Sequence, residues 1–159
     1  MLAAGAGTRY GGPKQAELLP AVLAALGRSP VDEIVVVSGA HPLRVDPAQA
    51  RLEQCDEWGE GPGASLRCGL TALGPNVTHA VIVLADGPTL DPRSVARLVA
   101  HRDDAPVLAA SYDGSRSHPV VLARAAWHAV PDEGGRALQA ALVDCSDLQA
   151  PGDVDYRRS

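Results

Sequence analysis

The sequence predicts a single α/β domain built on a mostly parallel sheet. Apolar, β-branched runs alternate with helical patterns along the chain, which is the pattern of an α/β fold. Hydrophobic residues make up 46% of 159 residues, enough for one sizeable core. A glycine-rich loop near the N-terminus and Asp86 further on both fall at expected strand carboxyl ends, where open α/β sheets bind ligands. Aromatics are only 3% and phenylalanine is absent, so the core must be aliphatic.

The elements follow in order. Only Met1-Leu2 precedes the glycine-rich loop, so the first strand is either two or three residues long or begins upstream of this sequence. Leu19 to Leu26 reads as a helix, with Pro20 suited to its first turn and Gly27 to its stop. Glu33 to Ser38 is continuous and β-branched, as expected of a buried parallel strand. The stretch between Ser38 and Cys55 is short for a strand-and-helix crossover, which takes about a dozen residues or more. Gly63 to Leu73 is expected to be helical, closed by Gly74-Pro75. Ala80 to Ala85 is expected to be a strand that ends at Asp86. Asp91 caps a helix that opens on Pro92 and runs to about Arg102. Residues 106–110 and 119–122 read as strands, and 125–130 and 135–143 as helical. The tail from Pro151 to Tyr156 is short and acidic, and no repeat or linker stands out.

Composition narrows the function. Net charge is −5 with no basic run, which argues against a nucleic-acid backbone as the main partner. No apolar run approaches the ~20 residues that span a bilayer, and the first residues lack the basic flank and apolar stretch of a signal peptide. Neither a nucleic-acid nor a membrane partner is therefore expected. Cys55, Cys68 and Cys145 are odd in number and show no Cys-x-x-Cys spacing, so they read as free buried thiols in a cytosolic protein.

The chemistry concentrates in Leu2-Ala3-Ala4-Gly5-Ala6-Gly7-Thr8-Arg9-Tyr10-Gly11-Gly12-Pro13-Lys14. Glycines let the backbone turn tightly and leave its amides open to a ligand. Successive N–H groups in such a turn form a concave anion site. Arg9 and Lys14 add positive charge, so a polyphosphate is the expected ligand. The P-loop pattern fails, because Lys14 follows proline and precedes Gln15. The dinucleotide fingerprint fails too, because three residues separate Gly7 from Gly11. Asp86, in Leu84-Ala85-Asp86-Gly87-Pro88, would project into the same crevice, and Mg²⁺ prefers one or two carboxylates together with phosphate oxygens. The alternative is a strand-terminal aspartate that opens a Gly-Pro turn.

The pattern Leu-Ala-Ala-Gly-x-Gly-x-Arg-x-Gly-x-Pro-Lys resembles the signature loop of the sugar-phosphate and cofactor nucleotidyltransferases, and within them the MobA/MocA group, which attaches a nucleotide to molybdopterin. The resemblance runs from Leu2 to Asp155 and implies a three-layer α/β/α, Rossmann-like fold, one MobA-like NTP transferase domain over residues 1–159. Asp86-Gly87-Pro88 is similar to the group's Asp-x-Pro segment, which implies a metal ligand. Asp153-Val154-Asp155 resembles its Asp-x-Asp segment, with Asp155 preferred as the second ligand and Asp153 next. Trp58 to Leu66 is similar to the group's Trp-x-x-Gly-x-x-x-Ser-Leu stretch. It leaves Ser65 either on the base or ribose or simply in a first helical turn. Ser117-His118-Pro119-Val120 and the segment through Arg136 resemble the acceptor side, which implies His118 and Arg136 as acceptor-binding residues.

What the resemblance implies is Mg²⁺-dependent nucleotidyl transfer. Leu2, Ala3, Ala4, Gly5, Gly7, Thr8, Arg9, Lys14 and Ser65 would bind the NTP. Arg9, Lys14 and Asp86 would be catalytic. Mg²⁺ would sit on Asp86 and Asp155. Ala3-Ala4-Gly5 is the form associated with CTP rather than GTP. A phosphorylated small molecule, molybdopterin first, would be the acceptor, molybdoenzyme maturation factors the protein partners, and the cytoplasm the location. Two departures stand out. The hydrophobic stretch and Gly-x-Pro-Leu-Leu turn usual after the lysine are missing, and Tyr156-Arg157 replaces Thr-Pro after Asp155. Two alternatives stay open: a sugar- or polyol-phosphate nucleotidyltransferase, which would use the same fold and loop, and a non-catalytic nucleotide-binding accessory protein, which these departures motivate.

Overall fold

The computed structural model describes residues 1–7 and 14–154. Its sheet is organised around a very short strand. β1 (Leu2–Ala3) pairs parallel with β2 (Val35–Ser38), and β2 pairs parallel with β3 (Arg51–Gln54). On its other side Leu2 forms a parallel bridge with Leu84, donating to the Val83 carbonyl at 2.9 Å and accepting from the Ala85 N–H at 3.0 Å. That bridge joins the first three strands to a second group, β4 (His79–Ile82), β5 (Val107–Tyr112), β6 (Ser115–Ala123) and β7 (Ala141–Asp144), in the order β4-β6-β5-β7. β6 runs antiparallel to both its neighbours, and the other pairings are parallel. The result is the mostly parallel sheet expected of the sequence.

Three helices cover the sheet. α1 (Lys14–Leu26) and α3 (Pro92–Ala100) lie on one face, and α2 (Pro62–Ala72) on the other. Alternation along the strands separates the layers. Val36 packs with Leu19 and Leu23 of α1, whereas its neighbour Val37 lies against Gly69 of α2. In the same way Ile82 belongs to the cluster of Leu66 and Leu70, and Val83 to that of Val22, Leu26 and Val95. Because β2 is buried on both faces, it reads as three successive valines before a buried Ser38 rather than as an alternating pattern. Asp91 caps α3 as expected, accepting from the Arg93 N–H at 2.9 Å.

Several expectations are corrected. α1 starts at Lys14, five residues before Leu19, so Pro20 lies inside the helix rather than in its first turn. Burial of the apolar face of the helix, Leu19, Val22, Leu23, Ala25 and Leu26, offsets the hydrogen bond that proline forfeits. The segment 135–143 is not helical. A 3₁₀ turn at Gly135–Ala137 gives way to β7, whose backbone pairs with β5 from Leu108 to Ser111. Residues 125–130 form only a 3₁₀ turn, Arg124–Ala129. β3 went unanticipated because Arg-Leu-Glu-Gln carries no β-branched residue and sits exposed at the sheet edge. The link from β2 to β3, residues 39–50, contains no helix.

The cysteine reading is also overturned. Cys55, directly after β3, is disulfide-bonded to Cys68 in α2, with Cα atoms 5.8 Å apart. The 3₁₀ turn Asp56–Glu60 folds the chain back so that residues 13 apart in sequence meet. Cys145 is free and buried. Among the described residues, no helix is long and apolar enough to cross a membrane.

Candidate active site

The chain after β1 runs through Ala4, Gly5, Ala6 and Gly7, and Gly7 adopts φ 63°, a left-handed conformation that suits glycine. Ala3 and Ala4 are buried, while Gly5 is exposed. The start of this loop is anchored from the segment after β2: the Ala40 N–H donates to the Ala4 carbonyl at 3.0 Å, and His41 Nε2 lies 2.8 Å from the Ala6 carbonyl. Thr8 and Arg9 lie outside the described residues.

Lys14 opens α1 and is only 6% exposed. Its ammonium lies 3.0 Å from Asp86 Oδ2 and 3.6 Å from Asp153 Oδ1. A buried cation needs such partners, because an unpaired charge in the interior is strongly penalised. Two elements deliver the carboxylates. Asp86 follows the segment that bridges to β1, with its side chain 26% exposed. Asp153 comes from the tail, which returns to the same place: the Val154 N–H donates to the Asp86 carbonyl at 3.3 Å, and the Thr89 N–H to the Pro151 carbonyl at 3.1 Å. Thr89 Oγ1 adds a bond to the Ala150 carbonyl at 2.8 Å. The structure thus brings together Lys14, Asp86 and Asp153, whereas Asp155 lies outside the described residues.

His118 lies in β6 just ahead of its buried half, within electrostatic reach of Asp86. Burial pushes its imidazole down to about 4 against the attraction of Asp86, and Arg136 and Arg116 add to the depression. The ring is therefore neutral near neutral pH. Arg116 was not anticipated. It donates to the carbonyls of Leu138 at 2.6 Å and Gly135 at 2.9 Å, which fixes the turn that carries Arg136.

The start of α2 differs from the open anion site that its glycines suggest. The Gly63 N–H donates to the Asp132 carbonyl at 2.9 Å, and Arg67 donates to the Val130 carbonyl and the Asp132 carboxylate at 3.1 and 3.0 Å. The 130–134 loop therefore takes up part of that helix end. Ser65 is buried in the first turn of α2. A further set of ligating groups, Cys55, Glu57 and Cys68, lies away from these residues, and its two sulfurs are bonded to each other.

An α/β sheet with a glycine loop after its first strand, a buried lysine and two carboxylates at the strands' carboxyl edge is the architecture of a nucleotidyltransferase. The chain belongs to the MobA-like NTP transferase domain family, whose model matches residues 1–145. Among solved structures it is similar to the Mycobacterium tuberculosis Rv0371c homolog from Mycobacterium sp. strain JC1, at 26% identity and a TM-score of 0.83, with 98% of this chain and 88% of that chain covered. It is also similar to Rv0371c of M. tuberculosis H37Rv in complex with manganese (21% identity, TM-score 0.69, 90% and 85% covered). A nucleotidyl transferase from Methanothermobacter thermautotroptrophicus follows at 21% identity and a TM-score of 0.68, with 84% and 75% covered. The last two likenesses show the fold alone. No curated protein matches the chain in sequence.

Proposed function

We propose that the chain transfers a nucleotidyl group from an NTP to a phosphorylated small molecule. A phosphate oxygen of the acceptor bonds to the α-phosphorus, the α–β P–O bond breaks, and pyrophosphate leaves with its electron pair. The acceptor phosphate is already anionic, so no catalytic base is needed, and catalysis reduces to positioning and charge neutralisation. The observation that carries this reading is the cluster of Lys14, Asp86 and Asp153, gathered from the start of α1, the end of the strand that bridges to β1, and the tail.

Within the reading, Leu2, Ala3, Ala4, Gly5, Gly7 and Thr8 cradle the triphosphate, Ser65 borders the nucleoside, and Arg9 and Lys14 offset charge on the phosphates. Two carboxylates aimed at one cation are the hard oxygen donors that Mg²⁺ takes, so the site fits the metal, with Asp86 and either Asp153 or Asp155 as ligands. When bound, Mg²⁺ neutralises phosphate charge and orients the reacting oxygens. The manganese complex of the Rv0371c structure supports a divalent ion in such a fold. A neutral His118 hydrogen-bonds the acceptor, and Arg136 attracts its phosphate.

CTP is the proposed donor, with GTP next, and molybdopterin the proposed acceptor. Both choices rest on the resemblance of Ala3-Ala4-Gly5 and the acceptor-side segments to the MobA/MocA group. The domain is taken to fill residues 1–159, with molybdoenzyme maturation factors as protein partners and the cytoplasm as location, where NTP is made. The test is pyrophosphate release with Mg²⁺ and each of CTP, GTP, ATP and UTP, with and without molybdopterin, for wild type and Asp86→Asn. Release that needs one NTP and the acceptor, and that is lost in the variant, is the expected result. Release in no wild-type combination with NTP binding retained would overturn molybdopterin as the acceptor, and loss of NTP binding as well would overturn the nucleotidyl-transfer reading.

A further inference from the structure

The Cys55–Cys68 pair carries a feature that a disulfide does not explain. Cys55, directly after β3, is fully buried, and Cys68 sits half-buried in α2. The 3₁₀ turn between them, Asp56–Glu60, brings the Glu57 carboxylate against both sulfurs. Its Oε2 lies 3.8 Å from Cys55 Sγ and 3.7 Å from Cys68 Sγ. Bonded to each other, the sulfurs have no proton to donate, so the carboxylate gains nothing from this contact. As thiols they would donate to it, and as thiolates they would share a cation with it.

The spacing suits zinc. Zinc takes thiolate sulfur at about 2.3 Å and carboxylate oxygen at about 2.0 Å in a tetrahedral arrangement. Those bonds place sulfur and oxygen about 3.5 Å apart, and two sulfurs about 3.8 Å apart. Both sulfur–oxygen distances are thus near the required value, and only the sulfurs have to part. Their Cα atoms are 5.8 Å apart, and rotation of Cys68 about χ1 widens the gap. Solvent reaches the pair through a cavity of about 490 Å³, lined by Glu53, Glu57, Glu60, Arg67 and Cys68 among others. Three glutamates against one arginine favour a cation there. That arginine is also held by the Val130 carbonyl and the Asp132 carboxylate.

We propose that, once reduced, Cys55, Cys68 and Glu57 hold one zinc ion, with a water from this cavity as fourth ligand. A dithiol reductant passes two electrons and two protons to the disulfide, which gives two protein thiols and the reductant's own disulfide. Zinc then displaces both thiol protons to solvent, and the thiolates bind as soft ligands beside the carboxylate. A compartment that keeps thiols reduced opens such a pair for metal binding. The end of β3 is tied to α2 in both states, by a sulfur–sulfur bond or through the ion. The two thiolates set this centre apart from the carboxylates of Asp86 and Asp153, which offer oxygen and suit a hard ion. It stands independently of nucleotidyl transfer.

The test titrates cobalt(II), whose absorption reports its ligands, into the whole chain after reduction with a dithiol and its removal under argon. The oxidised chain is titrated beside it, and circular dichroism follows the fold. The folded, reduced chain should bind one equivalent with a thiolate-to-cobalt charge-transfer band and tetrahedral d–d bands. Zinc should displace the cobalt, and a large excess of Mg²⁺ should not. Zinc should also return the urea midpoint of the reduced chain toward that of the oxidised chain. Cys68→Ala should weaken cobalt binding by about 100-fold or more, and Glu57→Gln by about 10-fold or more. Cys145 is present in every form, so loss of the band in Cys68→Ala assigns it to the pair. A reduced chain that unfolds or shows no such band would overturn the proposal. So would the same band in the oxidised chain or in Cys68→Ala, or unchanged affinity in Glu57→Gln.

Discussion

Replacing Asp86 with asparagine separates the site's chemistry from its stability. The substitution keeps shape and removes one of two carboxylates around the buried Lys14 ammonium, at 3.0 Å, leaving Asp153 at 3.6 Å. With an effective dielectric of about 20, the two gross attractions are about 5.5 and 4.6 kcal/mol. Most of that is offset by the desolvation of the ammonium, and breaking a buried pair outright costs about 3–5 kcal/mol. Because Asp153 remains, the net loss for Asp86→Asn should be smaller, about 1–2 kcal/mol by urea unfolding. The variant then stays folded. Pyrophosphate release should nonetheless fall by about 100-fold or more, the usual scale when one electrostatic contact to the reacting phosphates is lost. Asp153→Asn, at the more exposed and more distant position, should cost less stability than Asp86→Asn. Turnover in Asp86→Asn within about threefold of wild type would refute the catalytic placement of Asp86. A stability loss above about 4 kcal/mol would refute Asp153 as a sharing partner.

Gly63→Ala should destabilise the fold by about 3 kcal/mol or more, read as a lower thermal midpoint, because a Cβ there would lie 2.0 Å from the Pro131 carbonyl oxygen, and neither backbone can easily give way. Reducing the Cys55–Cys68 disulfide opens a loop with a sequence separation of 13 and should lower stability by about 3 kcal/mol, measured as the shift in urea unfolding with and without reductant. His118 is neutral when folded and takes up its proton at 6.5 when unfolded, so the unfolded state binds more protons as pH falls. Stability should therefore decline from pH 6.5 toward pH 4, and His118→Gln should remove that part of the dependence in unfolding measured across the same range.

The parts of the fold that could be read directly are those whose pattern is local. The valine run of β2, the Asp91-Pro92 start of α3 and the glycine loop after β1 each announce themselves within a few residues. What could not be read depends on partners distant in sequence. β7 is a strand because β5 offers its edge, and its own residues would serve a helix as well. β3 carries no strand signal and is held by β2. The disulfide is hidden for the same reason, since its spacing has meaning only once the 3₁₀ turn after β3 is known. In the candidate site, Lys14 and Asp86, singled out by motif and position, lie 3.0 Å apart. Arg116 was not singled out, because it acts through two backbone carbonyls that no motif records.

The tail shows how the site depends on backbone rather than on side-chain chemistry. Asp153 reaches Lys14 only because residues 150–154 are tied to the turn after Asp86 by bonds to Thr89 and from Val154, with Gly87 lying close against Pro151. Asp86 therefore stands in two relations to the tail. Its carbonyl holds the tail in place, and its carboxylate shares a cation with the aspartate that the tail delivers. Repulsion between the two carboxylates is relieved by the ammonium between them, and a divalent cation would relieve it further. The same geometry that makes Lys14 tolerable in the interior thus gathers two carboxylate oxygen donors around one cation.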